Sequence, residues 1–340
     1  MPLTRFPYGV SSYGAPIMPG PGVIPTVNTA QGPGVYFVNG DFGNDGYSGA
    51  SPQQCIKSLD VAYNKCAGGN NEIVYLIGGT AAVSYSSAIA SGGAGLVWAK
   101  NYTHLIGLTA PSRLGQRARV TGGVSTVLLT PLLTVSGNSC LFQNVEIANV
   151  GSHATTSAVS VAVTGTRNTF INCQITSGIG ALNVGAAMRA LIIGGTTGGT
   201  GTTTADENFF QHCYIGDDTI SKTSTSSEIE ILGGSARVIF EDCIISTFGT
   251  GGNLYLTIGA NGIDRFVMFD HCKFLNAYTF RGGTILTDAF AINAAPGGLV
   301  VICGGSIVTG ATALSASDTA IFSGDPIPSV SGAKAIAMTW

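Results

Sequence analysis

The stretch that decides the fold is Phe170-Ile171-Asn172-Cys173-Gln174-Ile175, because the chain repeats it. Further copies are Phe142-Gln143-Asn144-Val145-Glu146-Ile147, Phe210-Gln211-His212-Cys213-Tyr214-Ile215, Phe240-Glu241-Asp242-Cys243-Ile244-Ile245 and Phe269-Asp270-His271-Cys272-Lys273-Phe274. A degenerate sixth is Ile302-Cys303-Gly304-Gly305-Ser306-Ile307. The fourth positions of these hexapeptides, 145, 173, 213, 243, 272 and 305, lie 28, 40, 30, 29 and 33 residues apart. A fixed motif recurring at an irregular period of about 30 is the signature of stacked units that share one continuous core.

Between the hexapeptides lie short Gly-bounded runs of β type, such as Glu228-Ile229-Glu230-Ile231-Leu232-Gly233, so each unit holds two or three strands. No helical period of ten or more residues fits inside a unit, which excludes a helical solenoid. What remains is a coil of strands, each paired with its equivalent in the next coil about 4.8 Å away, so that equivalent residues form columns. In the hexapeptide the aromatic residue and the Cys, three apart, both face inward, which a period of two forbids unless the chain bends between them. The bend residues are Asn144, Asn172, His212, Asp242 and His271, and Asn, Asp and His are the non-glycine types most enriched at positive φ. The expected inward column is Phe170, Cys173, Phe210, Cys213, Phe240, Cys243, Phe269 and Cys272. Cysteines stacked at one strand spacing cannot surround a metal tetrahedrally, so they are read as buried reduced thiols and no metal or cofactor is expected.

This hexapeptide and its spacing resemble the right-handed parallel β-helix proteins, the fold of pectate lyases and many phage tailspikes, over residues 35–325. The resemblance implies an all-β, single-stranded right-handed parallel β-helix. It leaves the function open, because the family includes lyases, hydrolases and non-enzymatic virion proteins. The run Val35 to Gly49 looks like the opening strand and turn of such proteins. A short capping helix is expected after it, with Ser51 as N-cap, Pro52 as first helical residue, Gln54 as capping-box partner, and Ile56, Leu59, Tyr63 and Cys66 on one face. Four segments follow: an extended Pro/Gly-rich arm at 1–34, an entry strand and capping helix at 35–72, β-helix coils at 73–310, and a C-terminal cap or subunit contact at 311–340.

Of the 340 residues only 10% are charged, against a usual figure of about 25%, and the net charge is −3 with no basic stripe. Nucleic-acid binding by phosphate neutralisation is thereby excluded. The apolar runs fall well short of the roughly 18 residues of a membrane span, and the start MPLTRFPYGV shows no secretory signal, so assembly in a host cytoplasm is expected. Within the arm, Thr4, Arg5, Phe6, Pro7 and Tyr8 begin a motif that looks like the opening of phage structural proteins, and they are read as docking residues.

The best enzymatic candidates are Glu241 and Asp270, at the same outward position on successive coils. Two carboxylates about 5–5.5 Å apart are what a retaining glycosidase needs. Lys273 is expected nearby as a neutralising cation. The His212, Asp242 and His271 column has proton or metal chemistry available, but the same column continues as Asn172 and Asn144, which have none. Asp41, Asn44 and Asp45 have oxygens at turn spacing suited to Ca²⁺ or to a plain turn, and Asp206-Glu207 and Asp217-Asp218 read as solvated corners.

The expected function is a phage virion structural protein, a capsid decoration or head-spike protein, docked by its arm onto the major capsid protein or tail components. The resemblance implies a homotrimer on the virion surface, with no nucleic acid or membrane as partner. The alternative is a tailspike that binds or depolymerises a host surface glycan, as a glycoside hydrolase or polysaccharide lyase using Glu241 and Asp270.

Overall fold

A computed structural model describes residues 34–86, 95–110, 112, 114–122, 129–150, 158–177, 188–195, 203–222, 226–249, 252–277, 285–315 and 320–323, with two short antiparallel strands at Ser11–Ser12 and Ala15–Pro16. From Val35 onward the chain is a single-stranded parallel β-helix of the right-handed type. Three parallel sheets of ten, seven and eight strands run along it. One coil shows the plan. Phe209–Gln211 lies in the ten-stranded first sheet, Tyr214–Gly216 in the seven-stranded second and Ser227–Ile231 in the eight-stranded third, and Val238–Glu241 then pairs in register on Phe209–Gln211.

The core is built of columns. Phe142, Phe170, Phe210, Phe240 and Phe269 are fully buried, with successive ring centroids 4.7, 4.7, 4.7 and 4.8 Å apart and nearly parallel. Beside them Cys173, Cys213, Cys243 and Cys272 are buried, and each thiol donates to the carbonyl of the Phe one coil back at 3.3–3.4 Å. Burial pushes the thiols of Cys173 and Cys243 far up, so they stay protonated. A second interior column was not foreseen. Asn168 and Asn208 accept from the backbone N–H groups of Cys140 and Asn168, one coil back in each case, and donate to Gly137 and Gly165 carbonyls, satisfying the corner that leads into the first sheet.

The ends depart from expectation. The helix does not start at Ser51: Pro52–Gln54 is one 3-10 turn, Cys55 is extended, and the α-helix is Leu59–Lys65 with Ser58 at its N-cap. The cause is Ile56, which bridges to Val38 and exchanges hydrogen bonds with Phe37 and Asn39, so that segment is spent on strand pairing. The capping box is absent, and Gln54 instead accepts from the Ser48 hydroxyl. Ile56, Leu59, Tyr63 and Cys66 are nevertheless all buried over the first coil, where Tyr63 packs on Trp98. Lys100 Nζ donates to the carbonyls of Tyr63, Asn64 and Cys66, closing the helix C-terminus. At the other end the coils continue past 310: Ala311–Ser315 joins the third sheet and Ile321–Ser323 the first. In the sixth hexapeptide the bend holds one extra residue, so Ser306, not Gly305, takes the Cys position, its hydroxyl accepting from Cys272 N–H. The proposed docking residues Thr4 to Tyr8, and 324–340, lie outside the described residues.

Two buried polar sites, the Lys222–Glu228 pair and His104, make contributions to stability that substitution can read. Lys222 and Glu228 form an ion pair with side-chain exposures of 1% and 0%. Desolvation raises the Glu228 carboxyl even with Lys222 beside it. Removing one partner strands a charge, so Glu228→Ala is expected to cost about 3–5 kcal/mol by chemical denaturation, while Lys222→Met with Glu228→Leu recovers most of it. His104, also buried, donates from Nε2 to Asn71 and accepts at Nδ1 from Leu141 N–H, and burial lowers its pKa to about 4. Between pH 6.5 and 4 the unfolded chain binds a proton that the folded chain refuses. Stability is therefore lost as pH falls through that window, by up to about 3 kcal/mol, and His104→Gln removes that share. Glu146, pushed up to about 6 by burial, works in the opposite direction, so the readout is the difference between wild type and His104→Gln.

Candidate functional site

Each of the five full hexapeptides turns its corner through one residue in the left-handed region. Asn144, Asn172, His212, Asp242 and His271 have φ of 54, 53, 54, 51 and 54°. Their backbone N–H groups donate to the carbonyls of Ile171, Gln211, Glu241, Asp270 and Cys303 on the next coil, so the bend is tied into the stack as well as bent. The side chains then point away from the core and meet along the column. Asn172 donates to Asn144 Oδ1 at 2.9 Å, and His212 Nε2 lies 3.4 Å from Asp242 Oδ2, both half exposed.

Glu241 and Asp270 are register partners on the outward face of the first sheet, one strand spacing apart. The column around them reads Gln143, Ile171, Gln211, Glu241, Asp270, Cys303. Gln211 Nε2 donates to Glu241 Oε1 at 3.2 Å, and His271 Nδ1 is 2.8 Å from Asp270 Oδ1, which also receives the Cys303 thiol at 3.7 Å. The structure thus brings together Glu241, Asp270, Asp242, His212 and His271 at one corner, open to solvent. It does not bring Lys273 to them. That residue stands on the second sheet, in register with Ile244 and Ile307, and makes no ion pair among the described residues.

The other candidates hold loops. Asp41 accepts from Thr80 and Ala81 N–H, Asp45 from Lys57 and Ser58, and Asn44 from Gly46, so their oxygens face different backbone segments. Among the described residues no three His, Cys, Asp or Glu side chains converge as a metal site would require. Asp217 is not a solvated corner: it is 5% exposed and accepts from Thr219 and Ile220. Glu207 sits at positive φ between Arg167 and Arg237, bridging both at 2.7 and 2.5 Å, and these two guanidiniums hold its carboxyl below the usual range. This Arg-Glu-Arg column at the opposite corner of the first sheet was missed. Its signal was present in Arg167-Asn168, Glu207-Asn208 and Arg237-Val238, each placed three and two residues before an inward Phe.

The coil is shared with known structures. A pectin methylesterase mutant in complex with a hexasaccharide superposes at a TM-score of 0.52 with 13% identity, covering 88% of this chain and 91% of that one. Pectin methylesterase PemA from Erwinia chrysanthemi gives 0.47 with 14% identity over 85% and 80%, and a pectate lyase gives 0.41 with 14% over 87% and 81%. The chain shares the parallel β-helix fold of the pectin methylesterase that superposes at 0.52. No protein-family model matches it, and no curated protein matches it by sequence.

The bend imposes a testable order of substitutions. A β-branched residue at positive φ carries a penalty of about 1–2 kcal/mol that Gly does not. His212→Val is expected to lower the denaturation midpoint accordingly, and His212→Gly to hold or raise it.

Proposed function

We propose that this chain is a structural protein of a phage virion, a capsid decoration or head-spike protein that assembles as a homotrimer and docks through residues 1–34. The observation that carries the reading is how the corner side chains are used. His271 holds Asp270, Gln211 holds Glu241, His212 meets Asp242, and the bends at His212, Asp242 and His271 tie each coil to the next. Their chemistry goes into building a rigid rod. Low charge and the Pro/Gly-rich arm support the same reading. Docking partners would be the major capsid protein or tail components.

A second reading has one specific observation in its favour. Glu241 and Asp270 stand on adjacent strands at about 4.8 Å spacing, near what a retaining glycosidase requires. A tailspike that cleaves or binds a host surface polysaccharide would use Asp270 or Glu241 as acid and the other as nucleophile.

Cryo-electron microscopy of intact particles separates the two. Density repeated over the capsid shell is expected, together with loss of incorporation when residues 1–34 are deleted. Density confined to the tail, with sugar release that Glu241→Gln and Asp270→Asn each abolish, would replace the first reading by the second.

A further inference from the structure

The three sheets differ in what they turn outward. On the second sheet the outward column Arg119, Glu146, Gln174, Tyr214, Ile244, Lys273 and Ile307 mixes charge with apolar residues. On the third sheet Ala162 and Ile192 are already fully buried among Val159 and Leu232. The first sheet differs from both. One outward column runs Leu141, Thr169, Phe209, Ile239, Met268, Val301, each half-buried and none of them ionisable, and one coil back from Leu141 it continues as the buried His104 and Ile73. Towards the N-terminal end the face continues as a cluster of Ile73, Tyr75 and Ile106 packed with Phe37 and Leu141.

This apolar face has edges of opposite sign. Along the corner where the chain enters the sheet stand Arg167, Arg237 and Arg265, with side-chain exposures of 68, 43 and 63%, partly offset by Glu207 and Asp264. Along the corner where it leaves stand Glu241, Asp242 and Asp270, with His212 and His271. Arg237 and Glu241 flank one strand, and Arg265 and Asp270 flank the next.

We infer that the outward face of the first sheet is where this chain packs against further copies of itself, with the coil axes parallel and coil matched to coil. Rotation about an axis along the coils turns the arginine edge of one copy towards the carboxylate edge of its neighbour at the same height, so Arg237 approaches Glu241 or Asp242, and Arg265 approaches Asp270. Parallel packing is what makes the charges complementary. Antiparallel copies would lose the matching of coil to coil. The contact is centred on the six strands from Leu141–Gln143 to Leu299–Cys303, because Ile73, Tyr75 and Ile106 at the N-terminal end of the face are already buried within the chain. The inference rests on the homo-oligomer in the proposed function and is independent of where on a particle the oligomer sits.

The test is the mass of the full-length protein in solution, by light scattering after size exclusion at about 10 μM. Wild type is expected as an oligomer, and Ile239→Arg with Met268→Glu as a monomer whose melting stays cooperative. Arg237→Gln with Arg265→Gln removes the exposed positive edge without stacking like charges on Glu207, and it is expected to weaken association at least tenfold while melting stays cooperative. An oligomer that survives both double variants would overturn this face while leaving self-association standing. A monomeric wild type would overturn both, and would leave the face to one of the chain's own terminal segments. Neither result bears on the particle localisation that tests the virion reading.

Discussion

Parallel pairing at one strand spacing is the constraint on which everything else here depends. Each coil hydrogen-bonds to the next in register, so a residue's nearest neighbours are the occupants of its own position one coil above and below. A side chain is acceptable only if it tolerates copies of itself or complements at that distance. Flat aromatic rings do, and five phenylalanines stack with interplanar angles of 9–12°. Thiols do, because each finds a carbonyl one coil back. Charges do only when they alternate, as in Arg167, Glu207 and Arg237. Glu241 on Asp270 is the exception to that alternation. Like charges directly opposite are unfavourable, and Gln211 on one side and His271 on the other offset them.

The interior of the β-helix was legible in the sequence because each column repeats its residue type. Phe, Cys and Ile recur at fixed offsets, and the bend could be inferred from the impossibility of burying residues three apart on a straight strand. What escaped was set by single-copy contacts. Ser51-Pro52-Gln54 has every local mark of a helix start, yet Ile56 pairs with Val38 and the helix waits until Leu59. The strand Ala311–Ser315 has no hexapeptide, so it looked like the end of the repeat although Leu314 and Ala320 are buried in the same core. The Lys222 and Glu228 pair, six residues apart in sequence, carried no periodic signal at all. Of the corner site, residue placement was readable from register. Its partners were not: Gln211 and Cys303 reach the carboxylates from neighbouring coils, and Lys273 lies round the bend on another sheet.

The surface follows a logic different from that of the interior. Inside, chemistry is suppressed by burial, and the thiols of Cys173 and Cys243 are held in their neutral forms. Outside, the first sheet keeps its middle apolar and sends its charges to the two corners, while the other sheets mix or bury theirs. An architecture made of stacked equivalents thus turns a choice made at one sequence offset into a stripe running the length of the rod.

The coils are unequal in length, and the difference has a use. Forty residues separate Cys173 from Cys213, while thirty or fewer separate most other neighbouring markers, yet the rings of Phe170 and Phe210 stack at the same 4.7 Å as the rest. The additional chain is taken up between the strands, where it disturbs no register. Such a scaffold separates what must stay constant from what is free to vary. Segments can lengthen, shorten or be exchanged at the corners over evolutionary time, and the rod can acquire new contacts with its surroundings without having to learn again how to fold.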